Sequence, residues 1–324
     1  MESAGIRIQG SVQARAAGIT FSGADRVGPT RLRPVARAWK GSFLVLKPKC
    51  LNTYELLNNA KENNQYRRLQ TLGVKVEKKE RVVRITLERP PLNVLDISLL
   101  RELDATLTSC AEDVEIDVMV IQGAGQRAFS AGVDVRDHTR ENVPEMLDAV
   151  HGVIRKLFTV PQVTVALVDG VCLGGGCELA TSCDFVIASV DSSFATPEIQ
   201  LGCYPPVALA RFSSLIGYHR AVEMILTGRK LSATEALAIG LVNRVLQGDQ
   251  LQAGLGSLLE ELLGNSSAVL RITLKGLREL SLKGFSDALR RSEDLYRDEL
   301  LHTHDVEEGI RAFIEKRKPH WMHR

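Results

Sequence analysis

The apolar run Val163-Thr164-Val165-Ala166-Leu167-Val168 leads into Leu173-Gly174-Gly175-Gly176-Cys177-Glu178. This order predicts a buried strand, a tight turn, and a helix whose first turn carries a carboxylate. Glycine has no Cβ, so backbone there can approach a ligand closely. A helix start presents unpaired N–H groups and the positive end of the helix dipole. Such a place can hold negative charge developing on an oxygen, and a glutamate beside it can move a proton. The combination points to oxyanion or enolate chemistry.

The turn lacks the G-x-G-x-x-G spacing of a dinucleotide fingerprint and the Gly-Lys-Ser/Thr of a phosphate loop. A second strand-and-turn unit precedes it. The apolar run Val118-Met119-Val120-Ile121 leads to Arg127-Ala128-Phe129-Ser130-Ala131-Gly132-Val133-Asp134-Val135. Two such units can bring two backbone N–H donors to one point. Taken alone, Glu178 also reads as a first-turn charge favoured by the helix dipole, and Glu198, after Pro197, as a helix or turn residue. Asp134 reads as a cap or turn former, and Asp184 as a partner for backbone.

Strand and helix patterns alternate to about residue 190, which predicts an α/β fold. Strands are expected at 80–87, 117–122, 163–168 and 184–188. Helices are expected at 99–110, capped by Asp96 or Ser98, at 144–158, and at 176–182. The final third reads as helices at 219–227, 233–239, 251–263, 268–280, 285–301 and 305–318. Gly228 and Gly240 fit positions just past helix ends.

The 324 residues are 44% hydrophobic and 25% charged, an ordinary globular composition with no apolar run long enough for a membrane span. Residues 1–70 carry 12 Lys/Arg against 4 Asp/Glu, and the remainder 29 against 35, so the +2 total divides as +8 and −6. Three readings of the basic segment stand open: a disordered extension or start-site artefact, a transit peptide, and a basic arm for an anionic partner such as RNA. It lacks the apolar core of a secretory signal. None of the six cysteines forms a C-x-x-C pair. They imply a reducing compartment without a disulfide frame. His302 and His304, two apart, do not share a helical face, and no metal is expected.

Several segments, in order and spacing, resemble the crotonase (enoyl-CoA hydratase/isomerase) superfamily over about residues 74–320. The strongest are Ala128–Val135, Asp169–Ala180 and Cys183-Asp184. Phe194–Gly202, Leu226–Arg229, Ala233–Asn243 and Glu308–Arg317 also fit. The resemblance implies an α/β fold, a crotonase-like spiral of ββα units with a C-terminal helical trimerisation region. It divides the chain into a basic, disordered extension (1–72), a spiral core (73–265) and an oligomerisation region (266–324).

It further implies an acyl-CoA hydratase, a carbon–oxygen lyase whose substrate carries coenzyme A, with no separate cofactor. The backbone N–H groups of Val133 and Gly175 would form the oxyanion hole. Glu178 would activate water and Glu198 would protonate carbon. Pro91, Leu92, Ala131, Asp134, Val135, Arg136, Gly174 and Tyr204 would line the acyl and CoA site, with Phe313 and Lys316 reaching a neighbouring subunit's CoA. The expected partners are an acyl-CoA thioester and further copies of the chain, as a homotrimer or a dimer of trimers, without metal, membrane or nucleic acid. A cytoplasmic setting is expected, or the mitochondrial matrix if the basic segment is a transit peptide.

One segment departs from the common hydratases. After Leu201-Gly202 they carry a glycine-rich stretch, where this chain has Cys203-Tyr204-Pro205-Pro206-Val207-Ala208-Leu209-Ala210-Arg211-Phe212. The two prolines read as a stiffened turn. The segment resembles the cyclohexa-1,5-diene-1-carbonyl-CoA hydratases. The alternatives are a general enoyl-CoA hydratase, an isomerase, or an RNA-binding relative.

Overall fold

The computed structural model describes residues 73–324. The basic segment and the three readings of it lie outside the described residues. The chain opens with β1 (Val74–Lys79), β2 (Val82–Leu87), α1 (Ile97–Glu112), β3 (Val118–Gly123), β4 (Ala128–Ser130) and α2 (Val143–Leu157). Next come β5 (Val163–Val168), β6 (Val171–Leu173), α3 (Gly175–Thr181), β7 (Phe185–Ser189) and β8 (Ser193–Ala195). Then follow α4 (Pro206–Ile216), α5 (Tyr218–Thr227), β9 (Leu231–Ser232), α6 (Ala233–Ala238), β10 (Arg244–Leu246) and α7 (Leu251–Leu263). The last elements are α8 (Ser267–Ser281), α9 (Phe285–Asp298) and α10 (His304–Ile314).

Six strands form one sheet in the order β1-β2-β3-β5-β7-β10, and four form a second, β4-β6-β8-β9. The first is parallel apart from the β1–β2 hairpin. In the second, β4, β6 and β8 run parallel and β9 antiparallel. β3, β5 and β7 of the large sheet each continue into a short strand of the small one (β4, β6 and β8), and the turns that leave β4 and β6 become neighbours.

Side chains alternate across a strand, so a strand buried on both faces reads as a continuous apolar run. Met119 and Ile121 of β3, with Ala166 and Val168 of β5, enter the main core. Val118, Val120, Val163, Val165 and Leu167 enter a second core, covered by Leu251, Leu255, Leu258 and Leu259 of α7. The late helices also join the main core, through Phe285, Leu289, Tyr296, Val306 and Ile310.

Two largely buried carboxylates tie the late helices to the rest of the fold. Arg278 of α8 lies across Asp184, with Nε 3.0 Å from Oδ1 and Nη2 2.5 Å from Oδ2. Asp184 also accepts from the Thr164 N–H and hydroxyl, each at 2.8 Å. It thus bonds backbone, as expected, and pairs with a cation as well. His151 and Arg155 of α2 both meet Glu293 of α9, at 2.6 and 2.5 Å.

Several boundaries differ from the sequence reading; the expected helix 305–318, for one, stops at Ile314. The expected strand 80–87 begins in the hairpin turn, because Glu80 takes φ +53° and β1 precedes it. The expected helix 285–301 stops at Asp298 and passes into a short 3-10 turn over Leu300–His302. The stiffened turn at Pro205-Pro206 is the start of α4. Proline suits the first helical position, where its missing N–H has no partner to lose. Elsewhere the caps follow expectation: the Asp96 side chain accepts from Leu99 N, and Gly228 takes φ +60° at the end of α5. Among the described residues no helix is long and apolar enough to cross a membrane.

Candidate active site

The site forms where the turns after β4 and β6 meet. Leu95 bonds on both sides of Val133, donating to Gly132 O and accepting from Asp134 N, each at 2.9 Å. In a parallel bridge this leaves the N–H of Val133 directed away from Leu95. It has no backbone partner among the described residues. Gly175 is the first residue of α3, so its N–H has no acceptor within the helix. The two turns touch. A Cβ on Gly175 would lie 2.6 Å from Val133 Cγ2 and 3.6 Å from Val133 N. A Cβ on Gly132 would lie 3.5 Å from Gly175 N. Two unpaired amides thus share one small volume.

Gly174 cannot be another residue without strain. Its φ is +53°, and an added Cβ would stand 2.7 Å from Glu198 Oε1. That contact places Glu198 against the glycine turn that carries the Gly175 amide. Glu198 lies in a 3-10 helix, Pro197–Leu201, and Glu178 in the first turn of α3, so both carboxyls come from helix starts. Both are buried, at 8% and 3% exposure.

Their surroundings differ. Glu178 Oε1 accepts from Ala208 N at 2.9 Å, and the Val207 N–H also bonds this carboxyl. Both donors belong to the first turn of α4. Glu198 Oε2 is buried with no hydrogen-bond partner among the described residues. Burial pushes both groups well above the ordinary carboxylate range. The helix N-terminus pulls Glu178 back down, whereas the charge of Glu178 pushes Glu198 further up. The arrangement favours an ionised Glu178 beside a protonated Glu198. Together they can accept one proton and donate another next to a polarised carbonyl.

The other expected residues fall into three groups. Pro91 and Leu92 lie in an exposed turn stitched to the segment after β4, with Ala131 N donating to Leu92 O at 2.9 Å. Buried Asn93 fixes that turn by donating to Ala124 O at 3.0 Å and Ala128 O at 2.8 Å. Ala131 and Val135 flank Val133, both partly exposed. Asp134 acts as a cap: its carboxylate accepts from Arg136 N at 3.0 Å and pairs with the Arg136 guanidinium at 2.5 Å. Arg136 itself is largely exposed. The Tyr204 hydroxyl donates to Ser292 O at 2.8 Å, so it anchors α9 and does not point free into the site. Phe313 and Lys316 lie on the surface at the end of α10, with Lys316 at φ +55°.

Sequence reasoning missed the Val207 and Ala208 amides, Asn93 and Leu95. Only the first pair had a signal, the proline at Pro206 that opens a helix.

Paired buried carboxyls beside two free amides, at the junction of two interleaved sheets, define an enzyme site for carbonyl-activated acid–base chemistry. Comparison with known proteins agrees. The enoyl-CoA hydratase/isomerase family model matches residues 77–324. A probable enoyl-CoA hydratase of Rhizobium meliloti is 36% identical over 266 residues, covering 77% of this chain and 97% of the relative. The cyclohexa-1,5-dienecarbonyl-CoA hydratase of Thauera aromatica is 30% identical over 253 residues, covering 78% and 97%. A crystal structure of an enoyl-CoA hydratase from Mycobacterium avium subsp. paratuberculosis superposes with a TM-score of 0.71 at 30% identity, covering 78% and 99%. The chain belongs to the enoyl-CoA hydratase/isomerase family.

Proposed function

We propose that this protein adds water across the α,β double bond of an acyl-CoA thioester, and that the acyl group is a cyclic diene. The observation that carries the reaction is the unequal pair of buried glutamates beside the Val133 and Gly175 amides. The two amides donate to the thioester oxygen and favour the enolate over the ground state. Glu178, ionised, takes a proton from water as the hydroxyl forms its bond to the β-carbon. The displaced π electrons move onto the thioester oxygen. Glu198, protonated, then delivers its proton to the α-carbon as the carbonyl re-forms. Glu178 ends with one proton gained and Glu198 with one lost, and a proton passing between them through solvent restores the pair.

Pro91, Leu92, Ala131, Val135 and Arg136 line the CoA path in this reading, with Asp134 holding Arg136 in place. The exposed Phe313 and Lys316 meet the CoA of a neighbouring copy in a homotrimer. CoA enters as part of the substrate, and the reaction as written needs no further cofactor or metal. The cyclic acyl group rests on Cys203-Tyr204-Pro205-Pro206 and on the likeness to the Thauera aromatica protein.

The test is a panel of crotonyl-CoA and cyclohexa-1,5-diene-1-carbonyl-CoA in heavy-oxygen water. The expected result is label in a stable alcohol, with higher kcat/KM for the cyclic substrate. A shifted double bond without label would make the enzyme an isomerase. Preference for crotonyl-CoA would make it a general hydratase.

A further inference from the structure

Four successive backbone amides follow β4, and three of them are engaged. Ala131 N donates to Leu92 O and Asp134 N to Leu95 O, each at 2.9 Å, and Gly132 N donates to the Ser130 hydroxyl at 3.1 Å. The Val133 N–H has no partner among the described residues. Neighbouring amides in a turn can cradle an anion together. Here one amide is left on offer, and the side chain of Ser130 takes the amide next to it. That side chain has no part in the reaction as written above.

Ser130 ends β4 and is fully buried, at 0% exposure. It stands between the two turns of the site. A Cβ on Gly176 would lie 2.7 Å from Ser130 Cβ, 2.8 Å from its carbonyl oxygen and 2.9 Å from its hydroxyl oxygen. Gly176 follows Gly175 in α3. Ser130 therefore holds one donor turn through Gly132 and abuts the other beside Gly175. Contacts this close call for a small residue. Alanine would meet that need and bury no hydroxyl. Packing thus accounts for the size of Ser130 and not for its oxygen. The bond to Gly132 accounts for the oxygen. Gly132 is buried, takes φ +98°, and faces the glycine turn, with an added Cβ 2.9 Å from Leu173 O and 3.5 Å from Gly175 N. Without the hydroxyl its N–H has no acceptor, directly beside the Val133 amide.

We propose that Ser130 is a positioning residue for the oxyanion hole: its hydroxyl takes the Gly132 N–H, so that the turn presents the Val133 amide alone, at the point it shares with Gly175. No bond to Ser130 is made or broken in the reaction. This inference rests on the oxyanion role given to Val133 and Gly175, but its first readout needs a bound thioester and no turnover.

The experiment is isotope-edited infrared spectroscopy of butyryl-CoA, labelled with heavy carbon at the thioester carbonyl and bound to the full-length protein. The acyl chain is saturated and cannot add water. Donors on the carbonyl oxygen weaken the C=O bond and lower its stretch, and wild type should show that lowering. Ser130→Ala should fold, since the space stays filled, and should return the stretch most of the way to its free-solution value. Ser130→Gly, which also lacks the hydroxyl, should do the same. Ser192→Ala removes another buried serine hydroxyl, one bonded to Val168 O at 3.1 Å. It should lower Tm by a few degrees and leave the stretch in place. Hydratase assays then split the effect: Ser130→Ala should lower kcat about 10–10²-fold at nearly constant KM. An unmoved stretch in a folded Ser130→Ala protein would overturn the proposal and leave the hydratase reading standing. A stretch that depends on Ser130 in an enzyme that hydrates no enoyl-CoA would uphold Ser130 and refute the hydratase reading.

Discussion

Glu178 and Glu198 are the same residue, buried to nearly the same degree, yet their surroundings oppose each other. The first sits in front of a helix start and receives two backbone N–H groups. The second faces the interior with one oxygen unpartnered and a like charge nearby. Burial alone would make both neutral and useless as a pair. In the proposed reaction, donors on one side only give each a role, base and acid, at the same pH. The comparison teaches that the division of labour is set by backbone outside the glutamates: α4 aims its N-terminus at one of them.

The largest effect should come from removing either carboxyl. Glu178→Gln and Glu198→Gln should each lower kcat about 10²–10⁴-fold, with folding intact by circular dichroism. Near-wild-type hydration by either variant would break the comparison. Gly174→Ala should follow closely. The new Cβ would press on Glu198 Oε1 in a backbone conformation that alanine resists, and we expect a loss of about 10²-fold, the size of a lost oxyanion contact.

Ala208→Pro is a sharper probe. It deletes one donor to Glu178 in the first turn of α4, where the N–H has no intrahelical acceptor. The acid limb of kcat/KM should move to higher pH, since Glu178 loses help in ionising. An unmoved limb in a folded variant would show that α4 does not tune Glu178.

The smallest effect is thermal. The raised pKa of Glu198 means that the folded state prefers its neutral form. Below the ordinary carboxylate range this costs nothing. As pH rises from the ordinary range to the raised value, the unfolded chain ionises while the buried group keeps its proton, and the folded protein loses stability. Glu198→Gln should therefore raise Tm by a few degrees at pH 8 and by nothing at pH 4. A gain that is largest in acid would reverse the assignment.

Much of this site was legible in the sequence. The glycine turn, the strand before it and both glutamates stand in the order that the family resemblance implies. Long strands such as Val163–Val168 announce themselves because both faces are buried. The three-residue strands β4, β6 and β8 are too short to show a period, so the second sheet was invisible. The contrast between the glutamates was hidden for another reason: its cause, α4, lies about 30 residues beyond Glu178, behind two prolines that read as a turn.

The most direct test of the account is the protonation state of the pair at neutral pH, read from infrared spectra of wild type, Glu178→Gln and Glu198→Gln. The account predicts one protonated-carboxyl band that vanishes in Glu198→Gln and survives in Glu178→Gln. A band that vanishes in Glu178→Gln instead, or two ionised carboxylates, would contradict it.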